Sequence, residues 1–174
     1  MRESVKNLRD SKCSTVDNCP GYYFWWFRED CVKKLLAPLP GVDYSRLISD
    51  RNGYVALYVG IVEKEKRTLR QRALWHICDD HSASKVKAGT LSTLRQTISA
   101  LLGIDMTKSK QAVNDFMDDN CEWEWFPTKS GEEAKAKEKE ELSKHYYPLN
   151  IKANKVVNKD TKNALKKLRK DFKK

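Results

Sequence analysis

Six aromatic residues stand in a row from Tyr22 to Phe27, directly behind Gly21, in a chain of 174 residues with only seventeen Phe, Trp and Tyr. The run is bounded by Pro20-Gly21 on one side and by the charged Arg28-Glu29-Asp30 on the other, which predicts a β-strand over Gly21–Arg28. Alternation along a strand sorts the rings onto two faces, with Tyr22, Phe24 and Trp26 on one and Tyr23, Trp25 and Phe27 on the other. Three uses compete for such a run: a buried core strand, a stacking platform for bases, or a strand that displays a reactive tyrosine.

The rest of the chain supplies partners for that strand. "YVALYVGIV" (54–62) is β-branched and aromatic, follows the Asn52-Gly53 turn signal, and reads as a second strand. "CEWEWFP" (121–127) alternates and stops at Pro127, a third strand. Leu69, Ala73 and Ile77 recur at helical spacing over 67–77, as do Leu91, Leu94, Ile98, Leu101 and Leu102 before Gly103. "TKSKQAVNDFMDDN" predicts a short helix, 130–147 a charged helix opened by Ser130, and Leu165, Leu168 and Phe172 a final basic amphipathic helix. Residues 1–19 lack periodicity and read as a flexible lead-in, and "CDDHSASKVKAG" as a polar loop. The expected fold class is α/β (α+β): a small three-stranded sheet, mixed or antiparallel, flanked by helices.

Composition narrows the class of function. A 40% apolar content in 174 residues suits one domain with a real core. No stretch has the apolar length of a membrane span, and five scattered cysteines fit a reducing compartment, so the expectation is a cytoplasmic protein. The charge of +10 is unevenly spread. Residues 151–174 hold nine lysines and Arg169 against Asp160 and Asp171, a net +8, so the first 150 residues carry only +2. A basic tail on a near-neutral body suggests an arm that neutralises phosphates, although a solvated helix face has the same composition.

Two groups of polar residues stand out. Arg72 and His76 are four apart and share a face that borders the Leu69/Ala73/Ile77 stripe, either looking into a cleft or lying over the core edge. In the 130–147 helix, Glu138 sits midway between Ala134 and Leu142. A carboxylate on a core-facing stripe needs a metal or a buried cation as partner, unless it is half exposed. His76, Cys78 and His81, with Cys13 or Cys19, can also be read as zinc ligands, without finger or ribbon spacing. Trp123 and Trp125 can stack bases or pack.

"GYY" (21–23) and "YVG" (58–60) on successive strands, Arg72 and His76 on the next helix, and Glu138, Pro148 and Asn150 further on resemble the ordered elements of GIY-YIG nucleases. "LYVGIVEKEKRTLRQRALWHI" followed by "LSTLRQTISALL" is similar to a stand-alone branch with a Ser-Thr-Leu-Arg element after the first helix. The resemblance covers roughly Pro20 to Lys152. It implies a lead at 1–19, a nuclease domain at 20–152 with an insertion at 31–53, and a basic tail at 153–174. Tyr22 and Val59 replace the usual isoleucines, at positions that face away from the tyrosines.

The same resemblance implies hydrolysis of DNA phosphodiesters at one divalent ion, Mg²⁺ or Mn²⁺, with no small-molecule cofactor, by a monomer or homodimer. Glu138 would be the metal ligand, with Glu140 and Glu141 as neighbouring alternatives. Tyr23 would be the base, its pKa lowered by nearby positive charge, or would orient the water, aided by Tyr58 or His76. Arg72 would neutralise the phosphate and Asn150 would order the site. Gly21 would keep the strand open to the DNA backbone. Lys152, Lys155, Lys166, Lys167, Arg169 and Lys170 would bind DNA. The alternative is a non-catalytic nucleic-acid-binding module on the same scaffold.

Overall fold

A computed structural model describes residues 1–63, 67–78 and 81–173. The aromatic run forms β2 (Gly21–Arg28), the middle strand of an antiparallel sheet. Its neighbours are β4 (Tyr54–Val62) on one side and β5 (Cys121–Pro127) on the other. Two short strands complete the order β1-β5-β2-β4-β3: β1 (Arg2–Ser4) on β5 and β3 (Ile48–Ser49) on β4. The sheet therefore has five strands, not the three expected, and every pairing is antiparallel. The two extra strands are three and two residues long, too short to show a hydrophobic period.

Both faces of β2 are covered, as the alternation of its rings requires. Tyr23, Trp25 and Phe27 enter the main core, with residues from α1 (Val5–Asp10), α3 (Leu69–Ile77), α5 (Thr93–Leu101) and α6 (Lys110–Asn120). Phe24, with the partly buried Tyr22 and Trp26, packs against Ala56, Val59, Leu142 and Tyr147 on the other face. That second layer is supplied by α7 (Gly131–Lys144) and the turn after it. Trp123 and Trp125 stack on each other with centroids 5.3 Å apart and are fully buried. Packing, and not base stacking, is thus the use of both.

Four expectations change at this level. The first nineteen residues are built into the domain: Val5, Leu8 and Cys13 are fully buried, Ser4 caps α1, and Arg9 holds Asp118 at 2.9 Å. The stretch 31–53 begins with α2 (Glu29–Leu36), whose Val32, Leu35 and Leu36 enter the main core. The expected polar loop after α3 contains α4 (Ala83–Ala88), capped by Ser82, while Asp79 and Asp80 lie outside the described residues. The basic C-terminal segment forms α8 (Lys159–Asp171), which is docked rather than loose. Its Thr161 and Leu165 are fully buried, Thr161 bonds the Pro40 carbonyl at 2.7 Å, and Leu168 and Phe172 pack on a small cluster around Val86 and Met106. Lys174 lies outside the described residues.

The register of β2 on β4 slips by one residue between Trp25, opposite Tyr58, and Trp26, opposite Ala56. Leu57 is the extra residue of this bulge. Without it, Leu57 and Tyr58 would alternate to opposite faces; with it, both turn toward the main core. The regular register from Tyr23, opposite Gly60, to Trp25, opposite Tyr58, puts Tyr58 on the same side as Tyr23, their ring centroids 6.4 Å apart.

Candidate active site

Tyr23 is 2% exposed, and its hydroxyl lies 2.9 Å from His76 Nε2. The helix that presents His76 is well specified locally. Thr68 and Gln71 form a reciprocal capping box at the start of α3, and Leu69, Ala73 and Ile77 bury its inner stripe. His76 is itself 2% exposed, and its Nδ1 lies 2.6 Å from Ser92 Oγ at the start of α5. When Nδ1–H donates to Ser92, Nε2 is left to accept the Tyr23 hydroxyl proton. Burial, then Arg72 and Arg95, push the His76 pKa well below its usual value, so the ring is neutral and a weak base, with a lone pair free to accept the Tyr23 hydrogen bond.

The same burial acts on the tyrosine in the opposite direction. It pushes the Tyr23 hydroxyl well above the ordinary value; Tyr58 adds to the rise, Arg72 opposes it and Glu138 adds again. The expected lowering by positive charge is present in Arg72 but is outweighed by desolvation. Tyr23 is a neutral phenol at neutral pH, hydrogen-bonded to a neutral imidazole. Tyr58 is raised likewise, first by burial and then by Glu138, with Arg72 and Arg169 opposing.

Glycine is required opposite Tyr23. A Cβ on Gly60 would stand 2.5 Å from the Tyr23 hydroxyl oxygen. Gly21 has a different role from the one expected. A Cβ there would lie 2.3 Å from the Phe126 carbonyl oxygen and 2.6 Å from Leu69 Cδ1. Protein fills that position, so the residue permits strand–helix packing and not the approach of DNA.

Arg72 is half-buried beside this pair. Its guanidinium lies 4.9 Å from the Trp75 ring centroid, and its Nε is buried with no hydrogen-bond partner among the described residues. It borders two surface depressions, one of about 520 Å³ with Arg67 and Trp75 and one of about 220 Å³ with Ile61 and Glu63. A buried donor without an acceptor, on the rim of open space, suits an anionic oxygen.

Glu138 comes from α7 and faces a cleft of about 790 Å³ that also exposes Tyr58, Asn150, Lys152, Lys166 and Arg169. Of the three carboxylates considered, the other two are occupied. Glu140 is exposed and pairs with Lys144 at 2.6 Å; Glu141 accepts from Tyr147 at 2.5 Å. Glu138 makes no hydrogen bond or direct ion pair among the described residues. Burial and the nearby Glu63 raise its pKa, and Lys135 opposes the rise. A partly desolvated, unpartnered carboxylate next to a second carboxylate is a donor set that a hard divalent cation would satisfy. The zinc reading fares differently. Both His76 nitrogens are engaged, His81 Nε2 lies 2.8 Å from the Met106 carbonyl, and among the described residues no group of three His, Cys, Asp or Glu is placed to hold a metal.

Asn150 works on the backbone. Beyond Ala56 no strand among the described residues lies on the outer edge of β4, and the turn after α7 takes its place. Leu149 N–H donates to the Leu57 carbonyl at 3.1 Å. The Asn150 amide accepts from Val59 N–H at 2.9 Å and donates to the Val59 carbonyl at 2.8 Å. One side chain thus stands in for a missing strand at the centre of the "YVG" motif. Pro148 fits here because an edge segment can spare a donor.

The basic residues divide. Lys152 and Lys166 line the Glu138 cleft, and Lys155 lines an adjoining depression of about 430 Å³ that Glu138 also borders. Lys167 and Lys170 are exposed on α8. Arg169 turns inward: its Nε donates to Thr97 at 2.8 Å, and burial lowers its pKa to about 10, with Tyr58 opposing. Sequence reasoning missed Ser92 and Glu63. Ser92 opens the Ser-Thr-Leu-Arg element, but only the packing of α5 beside α3 puts it on His76. Glu63 lies one residue past β4, with no periodicity to mark it.

The GIY-YIG catalytic domain family matches residues 21–171, from the first residue of β2 to the last of α8. Comparison with curated proteins and with solved structures finds no match. With the family spanning most of its length and the two tyrosines, the Arg–His helix and the Asn150 clamp assembled on one antiparallel sheet, the chain belongs to the GIY-YIG nuclease superfamily.

Proposed function

We propose that this protein is a metal-dependent DNA endonuclease that hydrolyses phosphodiester bonds at a single divalent-ion site. The observation that carries the reading is the hydrogen-bonded chain Tyr23–His76–Ser92, which lies within electrostatic reach of both Arg72 and Glu138. Glu138 is the residue to hold Mg²⁺ or Mn²⁺, and the bound ion supplies polarisation of the phosphate and stabilisation of the leaving oxygen.

The chain's own groups do the rest. Neutral His76 accepts the Tyr23 hydroxyl at Nε2 while Ser92 holds Nδ1, and takes the Tyr23 proton only as Tyr23 takes one from the attacking water, so that no free tyrosinate forms. Tyr58, beside Tyr23, orients that water. Arg72, with its unpaired Nε, neutralises the phosphate oxygens as charge builds. Asn150 holds the "YVG" backbone, and so Tyr58 and Gly60, in place. Lys152, Lys166 and Arg169 neutralise the phosphates of DNA lying in the Glu138 cleft; Lys155, Lys167 and Lys170 extend that surface. The substrate is DNA, and no described helix is long and apolar enough to cross a membrane.

A second reading, binding without cleavage, draws on the near-complete burial of Tyr23. Nicking of supercoiled plasmid with and without Mg²⁺ separates the two. Cleavage by the wild type only with metal, lowered ~10²–10³-fold or more in Glu138→Gln, is the expected outcome. Glu138→Gln should keep or raise the melting temperature, because the ionised carboxylate is the disfavoured form in the folded protein. Salt-sensitive DNA retention with no cleavage under any metal would replace catalysis with binding.

A further inference from the structure

At the C-terminal end of α3, two cysteines meet. Cys13 Sγ and Cys78 Sγ are 4.0 Å apart, although 65 residues separate them. Cys13 is fully buried just after α1, in a left-handed backbone conformation, and its N–H donates to the Leu8 carbonyl at 2.7 Å. Cys78 is exposed at the C-terminal cap of α3. The other three cysteines lie elsewhere: Cys19 and Cys31 are partly buried and Cys121 is buried.

We infer that Cys13 and Cys78 form a thiol–disulfide exchange site for low-molecular-weight disulfides, with exposed Cys78 attacking and buried Cys13 resolving. The contact distance and the contrast in exposure carry this assignment. Charge supports it. The hydrogen bond from Cys13, then Arg9 and Arg95, bring the Cys78 pKa down to about 7 against the opposing effect of burial. The same hydrogen bond and burial push Cys13 up, and burial raises Cys19, Cys31 and Cys121. Cys78 is thus the thiol with a substantial thiolate fraction at neutral pH that solvent can reach.

The exchange proceeds in two displacements. Cys78 thiolate attacks one sulfur of glutathione disulfide, forming a mixed disulfide and expelling one glutathione thiolate. Cys13 releases its proton to that thiolate and attacks Cys78 Sγ, expelling the second glutathione, which takes up the proton lost from Cys78. Two protein thiols are oxidised to one disulfide, and one small-molecule disulfide is reduced to two thiols. Closing the Sγ–Sγ distance from 4.0 Å to about 2.05 Å ties the end of α1 to the end of the helix that carries Arg72 and His76.

The test treats the full chain with glutathione disulfide at pH 7 and follows intact mass and non-reducing peptide maps. Wild type should lose two thiols and two hydrogens and yield a Cys13–Cys78 cross-linked peptide. Cys13→Ser should stop at one glutathione on Cys78, and Cys78→Ser should react at least ~10-fold more slowly. On unmodified wild type, timed alkylation should label Cys78 first, with an apparent pKa near 7, which needs no variant to fold. Labelling of Cys19 or Cys31 ahead of Cys78 would overturn the attacking role. A wild type that accumulates a stable glutathione adduct without closing would overturn the role of Cys13.

Discussion

Tyr22 and Tyr23 are adjacent in the chain, yet they stand on opposite faces of β2 and do different work. Tyr22 lies flat on Phe126, centroids 4.9 Å apart and planes 11° apart, on the face covered by α7. Tyr23 faces α3, where its hydroxyl meets His76 and through it Ser92. Burial raises both hydroxyls, and of the two only Tyr23 has a neutral imidazole beside it to accept its hydrogen bond. The difference lies in what covers each face: α7 and the turn after it bring a leucine and a tyrosine to one, and α3 and α5 bring polar groups to the other.

The sharpest way to break that comparison is to remove one hydroxyl at a time. Tyr23→Phe should lower plasmid nicking by ~10²–10⁴-fold, the usual weight of a positioned acid–base group, and Tyr22→Phe should leave it within about 2-fold. Equal losses in the two single-turnover assays would mean that both tyrosines serve only as packing. A smaller effect is expected at the edge of β4 that joins the two faces. Asn150→Ala leaves the Val59 N–H and carbonyl without partners, and chemical denaturation should show a loss of about 2–3 kcal/mol. An unchanged midpoint would mean that water replaces the clamp at no cost.

The smallest effect is a pH dependence. The folded pKa of His76 lies below its ordinary 6.5, so as pH falls through that value the unfolded chain takes up the proton first. Stability from this group is complete above about pH 6.5 and is lost as pH falls toward the folded pKa. Melting temperatures measured from pH 7 downward should therefore decline more steeply for wild type than for His76→Gln. Parallel declines would place the acid sensitivity in other groups. Glu138 has the opposite sign: its raised pKa favours the folded state at acid pH and ceases to do so as pH rises through the folded value.

Much of the site was legible because it depends on local geometry. The period of two in β2 puts Tyr23 on the face opposite Tyr22, and the i, i+4 spacing puts Arg72 and His76 together on α3. Glu138 was separable from Glu140 and Glu141 by phase on its helix, and the latter two are held by Lys144 and Tyr147. The edge strands, the docking of α8 and the burial of Val5, Leu8 and Cys13 were not legible. β1 and β3 are too short to carry a period, and the charge of α8 conceals the few residues, Thr161 and Leu165 among them, that bury it.

By itself, the sequence determined which side chains share a face: the six rings of β2, the stripe of α3, the phase of Glu138. Those relations follow from the covalent repeat of strand and helix and need no partner. Only the tertiary structure decided that a bulge turns Leu57 into the main core beside Tyr58, that Ser92 reaches His76 and that Arg169 points inward. It also decided that desolvation, not Arg72, dominates the ionisation of Tyr23. Each of these depends on register or on burial by residues far away in the chain, and no local period encodes either.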